Sequence, residues 1–465
     1  MLFSILAVFT DNLIMLATFV TLMTILIVLL INIGKTNTNS SVAKKTFIIL
    51  GLGDSLFVLG IVGYFFLTNS MVFGTQVELA SLFSYITLFC LMTAVLSKIG
   101  IVPFHSWIPE MSTVMTPSVL AFLPATLDKL VGIYLLIRIV NDMFIIDEVA
   151  KMIILVIGSV SLIYGVVHAM FQKDASKLLA YCSISQAGYM VIGIGSGFIL
   201  GIIGGLFHML NNTLFKSNLF LSVEHFFGNN HSNYTMNVFS VKPKQFYFNK
   251  NNLFIYLIFA TTLISALSIS GIPPFNGFVS KNLINMGIKD AFQGFNIFLF
   301  ISLIGSSLTL ASFTKFIFYL FLTIFGDSRE GRDYYPSTNF FSLFPQVILS
   351  ILCIFFGVFA LNLPLKLLVL PALPQLINAQ IVQSTIFSLN FIKILEIILG
   401  IVIGLYLYQS LNKKIIFKDY LDLYEQGKHL IFNVYQFLSH IQNGLLHSYL
   451  NWVLLFMLLL LIVLR

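Results

Sequence analysis

Long apolar runs separated by short polar breaks recur from the first residues of the chain to the last, and they decide the solvent in which it folds. Each run is near the ~20 residues that a helix needs to cross ~30 Å of hydrocarbon. A backbone in lipid must satisfy its own polar groups, and these runs are too continuous for alternating barrel strands, so helices are the reading. Hydrophobic residues make up 58% of the 465 positions and charged residues 9%, a balance that no water-soluble domain of this size could carry without exposing apolar surface. The predicted fold class is therefore all-α, a polytopic membrane protein of about twelve transmembrane helices. The crossings fall at approximately 5–33, 46–68, 79–101, 117–140, 151–171, 178–199, 202–227, 252–290, 296–325, 339–361, 390–409 and 448–464. The first run is too long for a signal-peptide core, and its early charge is Asp11 rather than a basic cluster, so it is read as a retained helix.

Basic residues are distributed unequally between alternate loops. Lys35, Lys44, Lys45, Lys173, Lys177, Lys242, Lys244, Lys250, Arg329, Arg332, Lys413, Lys414, Lys418 and Lys428 fall on one side of the membrane. The other side holds Lys151, Lys289, Lys366 and Arg465, with Arg138 at a helix end. This bias predicts cytoplasmic basic loops and both termini outside; the expected location is a bacterial or archaeal cytoplasmic membrane. The net charge of +7 is then a topology signal, and nucleic acid is not an expected partner. Residues 410–447 mix charges with Ile, Leu, Phe and Tyr and read as an amphipathic helix along the interface, with an ordinary solvated loop as the competing reading.

Cys90, Cys182 and Cys353 sit in separate apolar segments without CxxC spacing, and neither a GxGxxG nor a Walker-type loop occurs. No cofactor or metal is therefore expected in this chain.

Against this apolar background five lysines stand out: Lys98, Lys129, Lys216, Lys281 and Lys315 all fall within predicted spans. A lysine at the bilayer centre costs roughly 2.5–3.5 kcal/mol on insertion scales. Lys98 and Lys315 stand near helix ends, where snorkelling or a static pair competes with a transport role. For Lys129 and Lys216 the same alternative stands, with the transport role as the leading reading. Buried ammonium groups exchange protons readily when neighbouring charges change, which is what a relay requires. Asp54 is a carboxylate inside the second run and a candidate partner for Lys98 or Lys129, with helix packing as its alternative role. Asp128 adjoins Lys129 but points to another helical face. His208, Asn212 and Lys216 are spaced by four and share a face, suggesting either a hydrated path or a hydrogen-bonded helix seam. His105 and His168 read individually as structural.

Two runs carry breaks, SKIGIVPFHSWIPE around Pro103 and SISGIPPFNGFVSKN around Pro273 and Pro274. Proline and glycine free backbone groups that protein or water must satisfy at membrane depth. Each break holds a Pro-Phe near a lysine and precedes a lysine-bearing helix, which suggests an internal repeat with paired discontinuous helices, a common mark of a transport site.

At these residues the sequence resembles the antiporter-like subunits shared by respiratory complex I, Mrp-type sodium/proton antiporters and membrane-bound hydrogenases. The likeness covers roughly residues 43 to 325, in KIGIVPFHSWIPE, DASKLLAYCSISQAGYM and GIPPFNGFVSKN. The resemblance implies an inverted-repeat core with half-channels at 1–140 and 141–326, followed by C-terminal helices at 327–465. It gives Lys98 and Lys129 the two lysine positions of the first half-channel, Lys216 the central position, and Lys281 the position facing the output path. His208 takes the first of two family histidines, and Asp54 resembles the aspartate of the largest complex I subunit type. Asn212 replaces the second histidine, and Asn282 replaces the aspartate that commonly follows the broken-helix lysine.

The family also has about four helices before the one matching 5–33, and that helix carries a glutamate, whereas no acidic residue lies between Asn12 and Gly53 here. Either a neighbouring subunit supplies the helices and the carboxylate, or the first half-channel is altered. The expected partners are other membrane subunits, protons or sodium ions, and the lipid bilayer, with redox cofactors in partner subunits. IQNGLLHSYLNWVLLFMLLL is similar to the terminal anchor of hydrogenase-type members, which favours a hydrogenase-like complex. The resulting expectation is a proton- or sodium/proton-translocating subunit, itself non-catalytic, of a complex I-like or hydrogenase-like oxidoreductase or a multisubunit antiporter. A non-conducting spacer subunit and a subunit coupled to inorganic-carbon uptake are the alternatives.

Overall fold

The computed structural model describes residues 1–33, 38–123, 128–227, 236, 241–243, 253–292, 296–328, 340–372, 391–410, 421–422, 424–428 and 432. Met1–Lys418 form one compact unit and Asp419–Arg465 a second. Of the second, 424–428 is helical. Most of the expected interfacial segment 410–447, and all of the final run 448–464, lie outside the described residues.

The first unit opens with helices α1 (Leu2–Phe9), α2 (Leu13–Ile33), α3 (Asn39–Thr68), α4 (Leu82–Ile99), α5 (Trp107–Met111), α6 (Pro117–Phe122) and α7 (Asp128–Arg138). It continues with α8 (Glu148–Phe171), α9 (Ala175–Gly195), α10 (Ile199–Phe227), α11 (Leu253–Ser270), α12 (Asn276–Ala291), α13 (Ile297–Phe325), α14 (Phe340–Val358) and α15 (Phe391–Ser410). Two small pairings join loops: β1 (Val77–Glu78) runs parallel to β2 (Phe144–Ile145), and β3 (Val241–Pro243) antiparallel to β4 (Gly326–Ser328). Among the described residues seven helices are long and apolar enough to cross a bilayer, or eight if the bent pair Leu343–Val358 and Leu363–Val369 makes one span. The 29-residue α10 is not among the seven, because His208, Asn211, Asn212, Lys216 and Asn218 dilute its apolar character.

The run expected at 5–33 is divided. The first stretch ends at Phe9, and Asn12 caps the next, its side-chain oxygen accepting from the Ile14 amide at 2.9 Å, which is the usual way to satisfy a free helix N-terminus. Arg138 reaches back to the same junction, pairing with Asp11 at 3.0 Å and Asp142 at 2.8 Å while lying 4.1 Å from the Phe73 ring centre. The helical runs stop again at Ile99 and Ser270, where Gly100 (φ 71°) and Gly271 (φ 74°) take left-handed conformations ahead of Pro103 and of Pro273 and Pro274. Only glycine adopts that conformation without steric cost.

At the centre stands α9, whose apolar window is entirely buried. Its backbone lies directly against α8: a Cβ on Gly165 would come within 2.5 Å of the Ser185 nitrogen, and one on Gly188 within 2.6 Å of the Leu162 nitrogen. Small residues let membrane helices approach this closely, where dispersion contacts hold them without a hydrophobic drive. Buried apolar side chains of α2, α3, α4, α7, α8 and α9 form one large cluster, and those of α10, α12 and the 361–369 turn form another.

Candidate functional site

The polar side chains buried by this packing do not scatter. All three members of the α10 stripe, His208, Asn212 and Lys216, are buried, as are Lys98, Lys129, Lys281 and Lys315. Four of the sequence-selected residues converge on α9 and meet it in order. Lys216 donates to the Leu179 carbonyl at 2.5 Å. Lys129, from α7, donates to both the carbonyl and the hydroxyl of Ser183. One turn further, Gln186 Oε1 stands 3.0 Å from His208 Nε2, while His208 Nδ1 stands 2.9 Å from Ser280 Oγ. Lys281 lies 4.8 Å from the centre of the Tyr189 ring and donates to the Ile269 carbonyl at 2.8 Å, where α11 ends.

Positions 179, 183, 186 and 189 are three or four residues apart, so a single flank of α9 presents all four stations. At 1.5 Å per residue they are staggered over about 15 Å along the helix, rather than gathered at one depth. Cys182, buried on the same helix, is within electrostatic reach of Lys129, Lys216, Lys281 and Lys315.

A second cluster surrounds Lys98. Its ammonium pairs with Asp54 of α3 at 2.8 Å, donates to the Thr24 hydroxyl of α2, and approaches the Val20 carbonyl at 3.3 Å. Thr24 donates in turn to the other Asp54 oxygen at 2.5 Å. Of the two lysines considered for Asp54, the structure brings Lys98 to it. Lys129 and Asp54 have separate partners.

Lys315 stands apart. It donates to Met170 O at 2.6 Å and Gln172 O at 2.8 Å, with Ala169 O at 3.5 Å, and so caps the C-terminal end of α8. Carbonyls at a helix end lack intrahelical partners, and a cation there is favourable. His105 and His168 join a run of ring contacts in which Tyr164 lies 4.7 Å from His105 and 4.0 Å from His168, and Tyr181 lies 5.1 Å from His168. Around the second break, Asn211 and Asn276 exchange bonds at 3.0 Å, and Ser268 donates to Asn276.

Thr24, Ser183, Gln186, Ser280 and Tyr189 belong to these clusters without having been singled out in the sequence. Ser183 and Gln186 carried a usable signal, two polar residues at helical spacing inside an apolar run. The reasoning that selects Asp54 also selects Glu396, a buried carboxylate within the run 390–409.

Residues 10–309 match the family model described as NADH:quinone oxidoreductase/Mrp antiporter, TM. NADH-ubiquinone oxidoreductase chain 5 of Trichophyton rubrum is 29% identical over 317 residues, covering 66% of this chain and 46% of the relative. Na(+)/H(+) antiporter subunit A1 of Staphylococcus epidermidis is 26% identical over 346 residues, covering 68% and 41%. The chain thus spans less than half the length of either relative. Among solved structures, that of the Mrp complex from Dietzia sp. DQ12-45-1b superposes with a TM-score of 0.76 over 99% of this chain and 50% of its own, at 21% identity, a likeness of fold. The family model covers well over half of the sequence, and the chain belongs to the NADH:quinone oxidoreductase/Mrp antiporter transmembrane family.

Proposed function

We propose that the chain translocates protons, or protons against sodium, as a membrane subunit of a complex I-like or hydrogenase-like oxidoreductase or a multisubunit antiporter. The observation that carries this reading is the ordered contact of Lys216, Lys129, His208 and Lys281 with one flank of α9. Each station can lose and regain a proton, and each is buried where charge is costly to keep.

The chemistry follows from the contacts. Lys129 and Lys216 act on each other through space, so protonation of one favours release from the other. The Ser183 hydroxyl accepts from Lys129 and can rotate to donate elsewhere, because a hydroxyl holds one donor and two acceptor positions. His208 sits between Gln186 and Ser280: Nε2–H donates to the Gln186 amide oxygen, which fixes the ring, and Nδ1 is left to exchange a proton with the Ser280 hydroxyl. Asp54, Thr24 and Lys98 form the entry: separating the ion pair frees a carboxylate and an ammonium at the edge of the relay. Lys315 acts as a fixed cap.

Within this reading the interruptions at Pro103 and at Pro273 and Pro274 are the paired broken helices of an inverted repeat. Residues 1–140 and 141–326 form the half-channels and 327–465 the C-terminal helices, giving about twelve crossings with both termini outside a bacterial or archaeal cytoplasmic membrane. Other membrane subunits pack beside the chain, and the redox cofactors of an oxidoreductase reside in partners.

Lys216→Met tests the proposal. It keeps length and apolar bulk while removing the exchangeable proton. Ion uptake by vesicles at matched complex content should fall steeply. Wild-type uptake would leave the spacer role standing instead.

A further inference from the structure

Outside the α9 flank, a buried carboxylate has no role in the relay described so far. Glu396 lies in the second turn of α15 and is 5% exposed. Its Oε1 accepts from Lys393 at 2.8 Å, whereas Oε2 is buried and has no hydrogen-bond partner among the described residues. A half-satisfied carboxylate in an apolar interior costs free energy that packing alone does not return.

Its surroundings say where it points. Gly400, one turn further along α15, would carry a Cβ only 2.8 Å from the Ser307 carbonyl, so this face of α15 lies hard against α13. Glu396 and Gly400 are four residues apart and share that face. The adjoining turn of α13 is tied to the Lys281 station: Tyr189 donates its hydroxyl to Ser302 O at 2.7 Å, and the Ser306 hydroxyl lies 3.5 Å from Ser270 O, next to the Ile269 carbonyl that Lys281 uses. On the other flank Lys393 stands 5.9 Å from the ring centre of Phe278, three residues before Lys281 on α12. Both Glu396 and Lys393 act on Lys281 through space, and Glu396 also acts on Tyr189. The region lies towards the C-terminal end of α9 and the N-terminal ends of α13 and α15.

We propose that Glu396 is the proton acceptor beyond Lys281, with Lys393 as its counter-charge. The step balances simply. Lys281 and Glu396 make no direct ion pair, so an intervening water passes the proton: an N–H bond of the Lys281 ammonium breaks, an O–H bond forms at Glu396, and an ammonium and a carboxylate become an amine and a carboxylic acid. Release of that proton to water at the α13 and α15 end restores the carboxylate, which Lys393 again neutralises. No electron moves.

The inference rests on the translocation reading, and the experiment separates the two. Ion uptake is measured in vesicles carrying the assembled complex, at matched content, for wild type, Lys216→Met, Glu396→Gln, Glu396→Asp and the double variant Lys393→Gln/Glu396→Gln. The expected result is uptake lowered at least about tenfold in both variants that lack the carboxylate, the scale of losing a positioned proton carrier. Glu396→Asp should retain most of it. The double variant leaves no unpaired buried charge, so it keeps the test decisive should Glu396→Gln fail to assemble. Wild-type uptake by the double variant, together with loss in Lys216→Met, would overturn the role of Glu396 and leave translocation intact. Wild-type uptake in Lys216→Met as well would overturn both.

Discussion

Asp54→Asn is a sharp perturbation because it removes one member of an enclosed ion pair and little volume. Asp54 and Lys98 are 6% and 3% exposed and 2.8 Å apart, too buried for water to replace a lost partner. At that distance the gross attraction is about 6 kcal/mol for an effective dielectric constant near 20. The net value of the intact pair is smaller, since both groups gave up hydration to enter the interior. Breaking it is another matter. After Asp54→Asn the Lys98 ammonium keeps Thr24, the Val20 carbonyl and a neutral amide oxygen, and stranding a buried charge in this way costs about 3–5 kcal/mol. Lys98→Met alone should strand Asp54 at similar cost, with Thr24 still donating to it. Adding Lys98→Met to Asp54→Asn should recover most of the loss. The assay is a double-mutant cycle on unfolding free energies in mixed micelles titrated with denaturing detergent. A single-mutant cost below about 1 kcal/mol, or a double variant no better than either single, would refute an enclosed, mutually dependent pair.

Lys315→Met should destabilise the protein by about 1–3 kcal/mol, because the Met170 and Gln172 carbonyls lose their donor, while ion uptake at matched content stays at the wild-type rate; a flux defect without a stability defect would move Lys315 into the relay. Asp147, at the start of α8, accepts from Tyr85 and from the Ala150 amide, and these bonds hold its carboxyl below the usual aspartate range. Its stabilising contribution is therefore present above the unfolded aspartate value of about 3.9 and lost as pH falls through the lower folded value, so the thermal-stability gap between wild type and Asp147→Asn should close below about pH 4, and a gap independent of pH would contradict it. In a background without native cysteines, an impermeant thiol reagent outside the cell should label Lys289→Cys and spare Lys173→Cys; the reverse pattern would invert the topology.

The membrane class, the long helices and the buried lysines were legible because each violates or satisfies a strong solvent rule. A charge inside an apolar run is conspicuous wherever the helices later pack. Which lysine meets Asp54 was not legible, since α2, α3 and α4 decide it by tertiary packing and 44 positions separate Asp54 from Lys98. The split at Asn12 was hidden by the hydrophobicity on both sides of it, although a residue that so often caps helices was in place. Ser183, Gln186 and Thr24 escaped notice for a related reason: small polar side chains bond their own helix as readily as a neighbour. Only the packed structure shows that Ser183 serves Lys129 and Thr24 serves Lys98.

The direct backbone contact of α8 and α9 at Gly165 and Gly188 bears on how motion could reach the relay. Two helices whose main chains touch cannot slide by a fraction of a turn or roll about their axes without a collision, because no side-chain layer is available to deform. Leu179, Ser183, Gln186 and Tyr189 are therefore fixed relative to α8 in the manner of a rail, and a piston-like stroke of α9 past α8 is sterically closed. A conformational signal from a neighbouring subunit would have to travel as rearranged charge and rotated side chains on the elements that face the rail, leaving the rail itself as the stationary reference against which each proton step is registered.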